Sequence, residues 1–363
     1  MAHTIKIRNR EIGPGCPVYI VAEMSANHNQ DFEQAVKIIR AAKEAGADAI
    51  KLQTYTPDTL TIDCDNEHFK IGKDTLWEGR SLYELYGEAY TPWDWQPKLK
   101  EIADGLEIDL FSTPFDDTAV DFLEKMNVPA YKIASFEMTD LPLIRRVAAT
   151  GKPVIISTGM ASDIEISEAL SAARDAGAAQ IALLKCTSAY PAPYAEMNLR
   201  TIPHMAERYG VPCGLSDHTL GIAIPVAAVA LGACIVEKHF TFSRSVPGPD
   251  SAFSLEPQEF AAMVDSIRAA GESLGKVTYD ITRRENASRI FRRSLFVVED
   301  VMAGEMFTTK NIRSIRPGYG LPPKYITDII CSRAAKDIPR GTPLGWQLIE
   351  DQSSHKGSER RTK

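Results

Sequence analysis

The sequence has no Cys-x-x-Cys pair, no glycine-rich nucleotide loop, no excess of positive charge and no long apolar run. Each absence removes a class of function. The six cysteines (Cys16, Cys64, Cys186, Cys213, Cys234 and Cys331) are scattered over 363 residues. A chain this long needs no disulfide staples, so free thiols in a reducing compartment are expected. Lys and Arg number 41 against 48 Asp and Glu, a formal charge of −7. Sequence-independent nucleic-acid binding needs a basic face and is not expected. A small anionic ligand needs only a few local cations and stays open. The longest apolar run, Ile222 to Val236, is broken by Pro225 and Gly232 and falls short of the roughly 20 residues of a membrane helix. Met1 to Arg10 lacks the apolar centre of a secretory leader. The expectation is a cytoplasmic protein with neither nucleic-acid nor membrane partners.

What is present is an ordinary globular composition, 44% hydrophobic and 25% charged, which excludes global disorder. Short apolar runs alternate with helical patterns at a spacing of roughly 30 residues, as in βα units. Eight runs qualify as strands: Val18–Ala22, Ala49–Gln53, Ile108–Ser112, Ala130–Ile133, Val154–Ser157, Ile181–Leu184, Cys213–Leu215 and Cys234–Lys238. Between them, Phe32–Ala45 carries a 3.6-residue apolar period. Asp31 with Gln34, and Ser162 with Glu165, read as capping boxes. Gly46, Gly151 and Gly177 stand at helix ends, and Pro257 at a helix start. Eight strands each followed by a helix predict an α/β fold, a (β/α)8 TIM barrel, with a doubly wound sheet as the alternative. The boundaries are 1–276 for the barrel, 277–290 for a polar linker, 291–350 for a small β-rich domain and 351–363 for a disordered tail. In the small domain, Asp300 and Gly304 are echoed by Asp337 and Gly341, a sign of internal pseudo-symmetry. The connection Tyr55 to Trp93 is long and aromatic. It reads either as a functional lid or as a surface excursion packing its own rings.

A TIM barrel keeps its site at the C-terminal ends of its strands, and here those ends crowd polar residues. His218 and His239 close consecutive strands, where they could share one divalent metal or be satisfied separately by hydrogen bonds. Lys51, Lys132 and Lys238, with Ser135, Ser157 and Ser216, form a set suited to a phosphate or carboxylate. A Schiff-base lysine is the competing chemistry. Glu23, Glu137 and Asp250 are candidate acids, Glu23 as a proton carrier or a sugar ligand.

Seven segments resemble the sialic acid synthase family. They are Ala22-Glu-Met-Ser-Ala-Asn-His28, Gly46-Ala-Asp-Ala-Ile-Lys-Leu-Gln53, Phe111-Ser-Thr-Pro-Phe115, Tyr131-Lys-Ile-Ala-Ser135, Ser157-Thr-Gly-Met160, Gly214-Leu-Ser-Asp-His-Thr-Leu-Gly221 and Glu237-Lys-His-Phe240. Arg316-Pro-Gly-Tyr-Gly320 resembles the family's SAF (antifreeze-like) domain. Met24-Ser25, where most of the family has Ile-Gly, and Ser188, where it has Asn, resemble the pseudaminic branch. The resemblance implies condensation of phosphoenolpyruvate with an acetamido sugar, here 2,4-diacetamido-2,4,6-trideoxy-L-altrose. It implies a divalent metal on His218 and His239, Mn²⁺ before Mg²⁺ or Co²⁺. It implies phosphoenolpyruvate on Lys51, Lys132, Ser135, Ser157 and Ser216. Gln53, Glu137, Ser188 and Tyr190 would surround the sugar, and Glu23, Lys51 and Asp250 would serve the reaction. Arg316 would reach the site of a partner subunit in a domain-swapped homodimer.

Overall fold

The computed structural model describes residues 4–72 and 77–350. They form two compact units, one ending at Gly275 and the other beginning at Lys276. The tail expected over 351–363 lies outside the described residues.

In the first unit eight parallel strands close a barrel. They are β1 (Tyr19–Glu23), β2 (Ala49–Thr54), β3 (Asp109–Pro114), β4 (Tyr131–Ile133), β5 (Val154–Ser157), β6 (Ile181–Cys186), β7 (Cys213–Asp217) and β8 (Ile235–His239). β8 closes on β1 with His239 opposite Glu23. The doubly wound alternative is thereby overturned. Several strands run one or two residues further than the apolar runs suggested, because barrel geometry shelters the polar residues at their ends. The strands are nearly all buried on both faces, as helices outside and packed side chains inside require. Gly214 is needed for this packing: a Cβ there would lie 2.3 Å from the Ile235 carbonyl oxygen on the next strand.

Helix ends follow the local chemistry. Asp31 accepts from the backbone N–H groups of Glu33 and Gln34, but Gln34 does not reach back, so only half of that capping box exists. Ser162 and Glu165 form the full reciprocal box. Pro257 opens its helix, and Gly46, Gly151 and Gly177 have positive φ. One element was not legible beforehand. Ile5–Ile7 and Arg10–Ile12 form an antiparallel hairpin whose three isoleucines enter the barrel core. It lies at the N-terminal end of the barrel, where the Lys6 N–H donates to Gln180 at 2.6 Å.

In the second unit the expected linker contains a helix, Arg283–Ser288, capped reciprocally by Thr282 and Glu285. β9 (Ser294–Val297) pairs with β10 (Ile312–Ile315) over a small core including Leu295, Phe307 and Ile338. The internal echo is realised as a reciprocal exchange. The Asp300 carboxylate accepts from the Arg340 N–H and the Asp337 carboxylate from the Ala303 N–H, each at 2.7 Å. Among the described residues no helix is long and apolar enough to cross a membrane.

Candidate active site

Alternation along the strands decides which polar residues meet. On β2, Lys51 and Gln53 share a face; on β7 and its continuation, Ser216 and His218; on β8, Glu237 and His239. These point inward, with Glu23 and Lys132, and build the centre. Asp217 and Lys238 point the other way and pair outside the barrel at 2.6 Å, both side chains fully buried. Lys238 therefore does not belong to the anion set. Its place as a charge in the mouth is taken by a residue that motif reasoning passed over, the Glu237 carboxylate. Lys51 Nζ stands 2.9 Å and Lys132 Nζ 3.1 Å from Glu237 Oε1, and the Ser216 hydroxyl donates to the same oxygen at 3.3 Å. The signal was present in the period-two pattern, since Glu237 shares its face with His239.

Four buried ionisable groups form a connected chain, Glu23 to Lys51 to Glu237 to Lys132. Lys51 Nζ also stands 3.1 Å from Glu23 Oε2, and the Gln53 amide donates to Glu23 Oε1 at 2.8 Å. Burial alone would lower Lys51, but the Glu23 and Glu237 carboxylates outweigh it and hold the ammonium charged. For Lys132 burial prevails over Glu237 and its pKa is lowered. Burial would raise Glu237, yet the two lysines keep it ionised. Burial raises Glu23 to about 7, opposed by Lys51 and reinforced by the Glu237 charge. Glu23 can thus exchange a proton near neutrality.

Around this cluster Ser135 accepts the Gly159 N–H at 3.1 Å. The buried Ser157 hydroxyl has no partner among the described residues. Gly159 lets hydroxyls crowd: a Cβ there would lie 2.2 Å from Ser188 Oγ and 2.6 Å from Ser135 Oγ. Burial also raises Glu137 to about 7, and its Oε2 is buried without a partner. Ser25 links the Asp250 carboxylate to the Gln53 amide, and it does so from a left-handed backbone, φ +46°.

The imidazoles of His218 and His239 have centroids 5.3 Å apart, with the Tyr190 ring 4.3 Å from His218. His218 Nδ1 is occupied by the Thr187 carbonyl at 3.1 Å, leaving Nε2 available. His239 Nδ1 is buried without a hydrogen bond and lies 3.9 Å from Asp250 Oδ2. Burial, reinforced by His218, pushes His239 well down and keeps it neutral. An orphaned neutral nitrogen facing a second imidazole fits a divalent cation. Among the described residues no set of three or more His, Cys, Asp or Glu side chains could complete such a site. The cation would have two protein nitrogens and positions left for water or substrate.

The first unit thus brings together Glu23, Lys51, Gln53, Lys132, Ser135, Glu137, Ser157, Ser188, Tyr190, Ser216, His218, His239 and Asp250. Arg316 belongs to the second unit, where its side chain is exposed and forms no ion pair among the described residues.

Residues 38–279 match the NeuB family and residues 292–350 the SAF domain. A pseudaminic acid synthase of Campylobacter jejuni is 45% identical over 327 residues, covering 90% of this chain and 95% of that one. The Helicobacter pylori pseudaminic acid synthase is 44% identical, covering 92% and 98%. The crystal structure of an N-acetylneuraminic acid (sialic acid) synthetase from Leptospira borgpetersenii superposes with a TM-score of 0.71 at 33% identity. It covers 79% of this chain and 95% of its own.

Proposed function

The chain belongs to the NeuB family and carries a SAF domain, and from that premise we propose that it is a pseudaminic acid synthase. It joins C3 of phosphoenolpyruvate to the aldehyde carbon of open-chain 2,4-diacetamido-2,4,6-trideoxy-L-altrose and releases phosphate. The observation that carries this reading is the pair Lys51 and Lys132, buried on one Glu237 oxygen in the same barrel mouth as the facing imidazoles of His218 and His239. The lysines, with Ser135, Ser157 and Ser216, bind the phosphate and carboxylate of phosphoenolpyruvate in a preorganised field. His218 and His239 would hold the divalent cation, Mn²⁺ before Mg²⁺ or Co²⁺, which supplies Lewis acidity toward the aldehyde oxygen and the attacking water.

C3 of the enol phosphate attacks the aldehyde carbon, whose oxygen takes up a proton. Water adds at C2 and loses a proton. The tetrahedral centre then expels phosphate by C–O cleavage and leaves the C2 ketone of a nonulosonic acid. Glu23, poised near neutrality between Lys51 and Gln53, carries the proton; Asp250, held by Ser25, is the second candidate. Gln53, Glu137, Ser188 and Tyr190 orient the sugar. Arg316 from the SAF domain of a partner subunit contacts its acetamido group in a domain-swapped homodimer. The domain assignment is 1–276 for the barrel and 291–350 for the SAF domain, and the enzyme works in the cytoplasm.

The test is phosphate release from phosphoenolpyruvate carrying ¹⁸O in the bridging position, with a panel of acetamido sugars. Label in free phosphate, loss of turnover on chelation and recovery with Mn²⁺ are expected. Full turnover after exhaustive chelation would remove the metal assignment. Borohydride trapping of substrate on a lysine would replace the mechanism with a Schiff-base aldolase.

A further inference from the structure

A long excursion follows β2 before the chain reaches the helix that leads to β3. Its described parts, 55–72 and 77–93, contain helices Pro57–Leu60 and Leu82–Ala89, each closed by a reciprocal capping box. Backbone bonds between Ile71 and residues 79 and 80, at 3.0 and 2.9 Å, draw the segment together. It is anchored over the barrel mouth: the Trp77 indole N–H donates to the Pro249 carbonyl at 3.1 Å, and the Tyr55 ring packs edge-on against Phe115 and Tyr86. The excursion packs its own rings and also lines a cavity of the barrel mouth.

Beneath it is a cavity of about 420 Å³ that reaches Gln53, Glu137, Tyr190 and His239. Its two sides differ in chemistry. The barrel side carries the carboxylates, amide and imidazole. The excursion side carries Leu60, Ile71, Leu82 and Leu85, with the rings of Tyr55, Trp77 and Tyr86, the two phenols lying near the Asp250 and Glu137 carboxylates of the barrel side. The polar ends of other rings in the excursion are spent elsewhere. Trp93 donates to the Tyr55 carbonyl and Tyr83 to Asp58, at 3.0 and 3.1 Å. A fully hydroxylated hexose bound in this cavity would turn hydroxyls toward hydrocarbon and lose hydrogen bonds to water without replacement.

We infer that the described parts of this excursion, 55–72 and 77–93, form the specificity element for the sugar, their largely apolar wall receiving the methyl-bearing end of a deoxy, acetamido-substituted hexose. This rests on the synthase reading and adds to it the side chains that discriminate. A hydrophobic pocket rejects one added hydroxyl by roughly 10–100-fold. The wild-type enzyme with Mn²⁺ is therefore expected to favour the 6-deoxy diacetamido sugar over its 6-hydroxy counterpart by roughly that factor in kcat/KM.

Leu82→Asn and Ile71→Asn lie on the half-buried part of the wall. Each is expected to shrink the preference several-fold, chiefly by raising the KM of the deoxy sugar, with the KM for phosphoenolpyruvate within twofold of wild type. Leu82→Met, which keeps the hydrocarbon, should retain the preference. A wild-type ratio near one overturns the inference without any variant. So does an equal loss on both sugars in the Asn variants. In both of these cases phosphate release still occurs, so the synthase reading survives. No phosphate release with any acetamido sugar overturns that reading and the inference with it.

Discussion

Replacing Lys238 by Met should weaken the fold and leave substrate binding alone, because the ammonium faces away from the barrel interior. Its partner Asp217 lies 2.6 Å away, and neither side chain is exposed. At that separation the attraction is about 6 kcal/mol for an effective dielectric constant of about 20. Removing one member of such a pair typically costs about 3–5 kcal/mol, most of it from the stranded charge. The two halves are not equivalent. Asp217 without Lys238 still accepts from Thr219, from its N–H at 3.0 Å and its hydroxyl at 3.1 Å, so Lys238→Met belongs near about 3 kcal/mol. Lys238 without Asp217 keeps the Thr219 carbonyl as its hydrogen-bond partner among the described residues, so Asp217→Leu belongs near about 5 kcal/mol. The double variant strands no charge and should lose far less than the sum. Urea-unfolding midpoints, followed by circular dichroism and tryptophan fluorescence together, measure the cycle. Additive losses in the double variant would refute the buried pair. A tenfold rise in the KM for phosphoenolpyruvate in Lys238→Met would refute the outward orientation.

Three further outcomes are expected. His28 is fully buried, accepts the Gln30 N–H through Nδ1 and bonds Thr91 through Nε2, and burial lowers it to about 4. The unfolded chain therefore binds more protons between pH 6.5 and 4. The His28 contribution to stability should be level above about 6.5 and fall by about 3 kcal/mol toward pH 4, read as the difference between wild type and His28→Gln in pH-dependent melts. Ser25 holds φ +46°, a cost of about 1–2 kcal/mol for a residue with a Cβ. Ser25→Ala keeps that cost and loses the Asp250 contact, whereas Ser25→Gly loses the contact and relieves the cost. Melting temperatures should fall in the order wild type, Gly, Ala, and an Ala variant above Gly would contradict the strain. Gly159→Ala should push the Ser135 and Ser188 hydroxyls aside. Displacement of about 1 Å can lower turnover by about 10²-fold, and in this case the melting temperature should change little.

The barrel was legible because its signal is redundant: eight apolar runs, helix caps and glycines at positive φ all agree on one architecture. Most of the site was legible for a narrower reason, that strand ends share one face of the fold. The errors come from alternation within single strands. Lys238 and Glu237 are neighbours, so a list of strand-end residues admitted the wrong one. A period-two reading assigns Glu237 to the face of His239. The N-terminal hairpin was missed because each strand has only three residues, too short for alternation to register. Gln34 fits a capping box by spacing, yet its amide nitrogen is buried and unpartnered; spacing does not fix a rotamer. The long excursion showed its aromatic content but not which face they present, which depends on contacts distant in sequence such as Trp77 with Pro249.

The exchange between Asp300 and Asp337 ties the second unit in a way its short strands do not. Each turn is held by a carboxylate from the other, so neither half has a complete set of hydrogen bonds alone. A cut or an insertion in either turn is felt across the unit, and length changes at 300–304 must be answered at 337–341. The Ala303 and Arg340 amides should open to solvent exchange as one event, since losing either bond frees the partner turn. A domain of this size with so small a core gains from that arrangement the cooperativity that larger proteins draw from bulk.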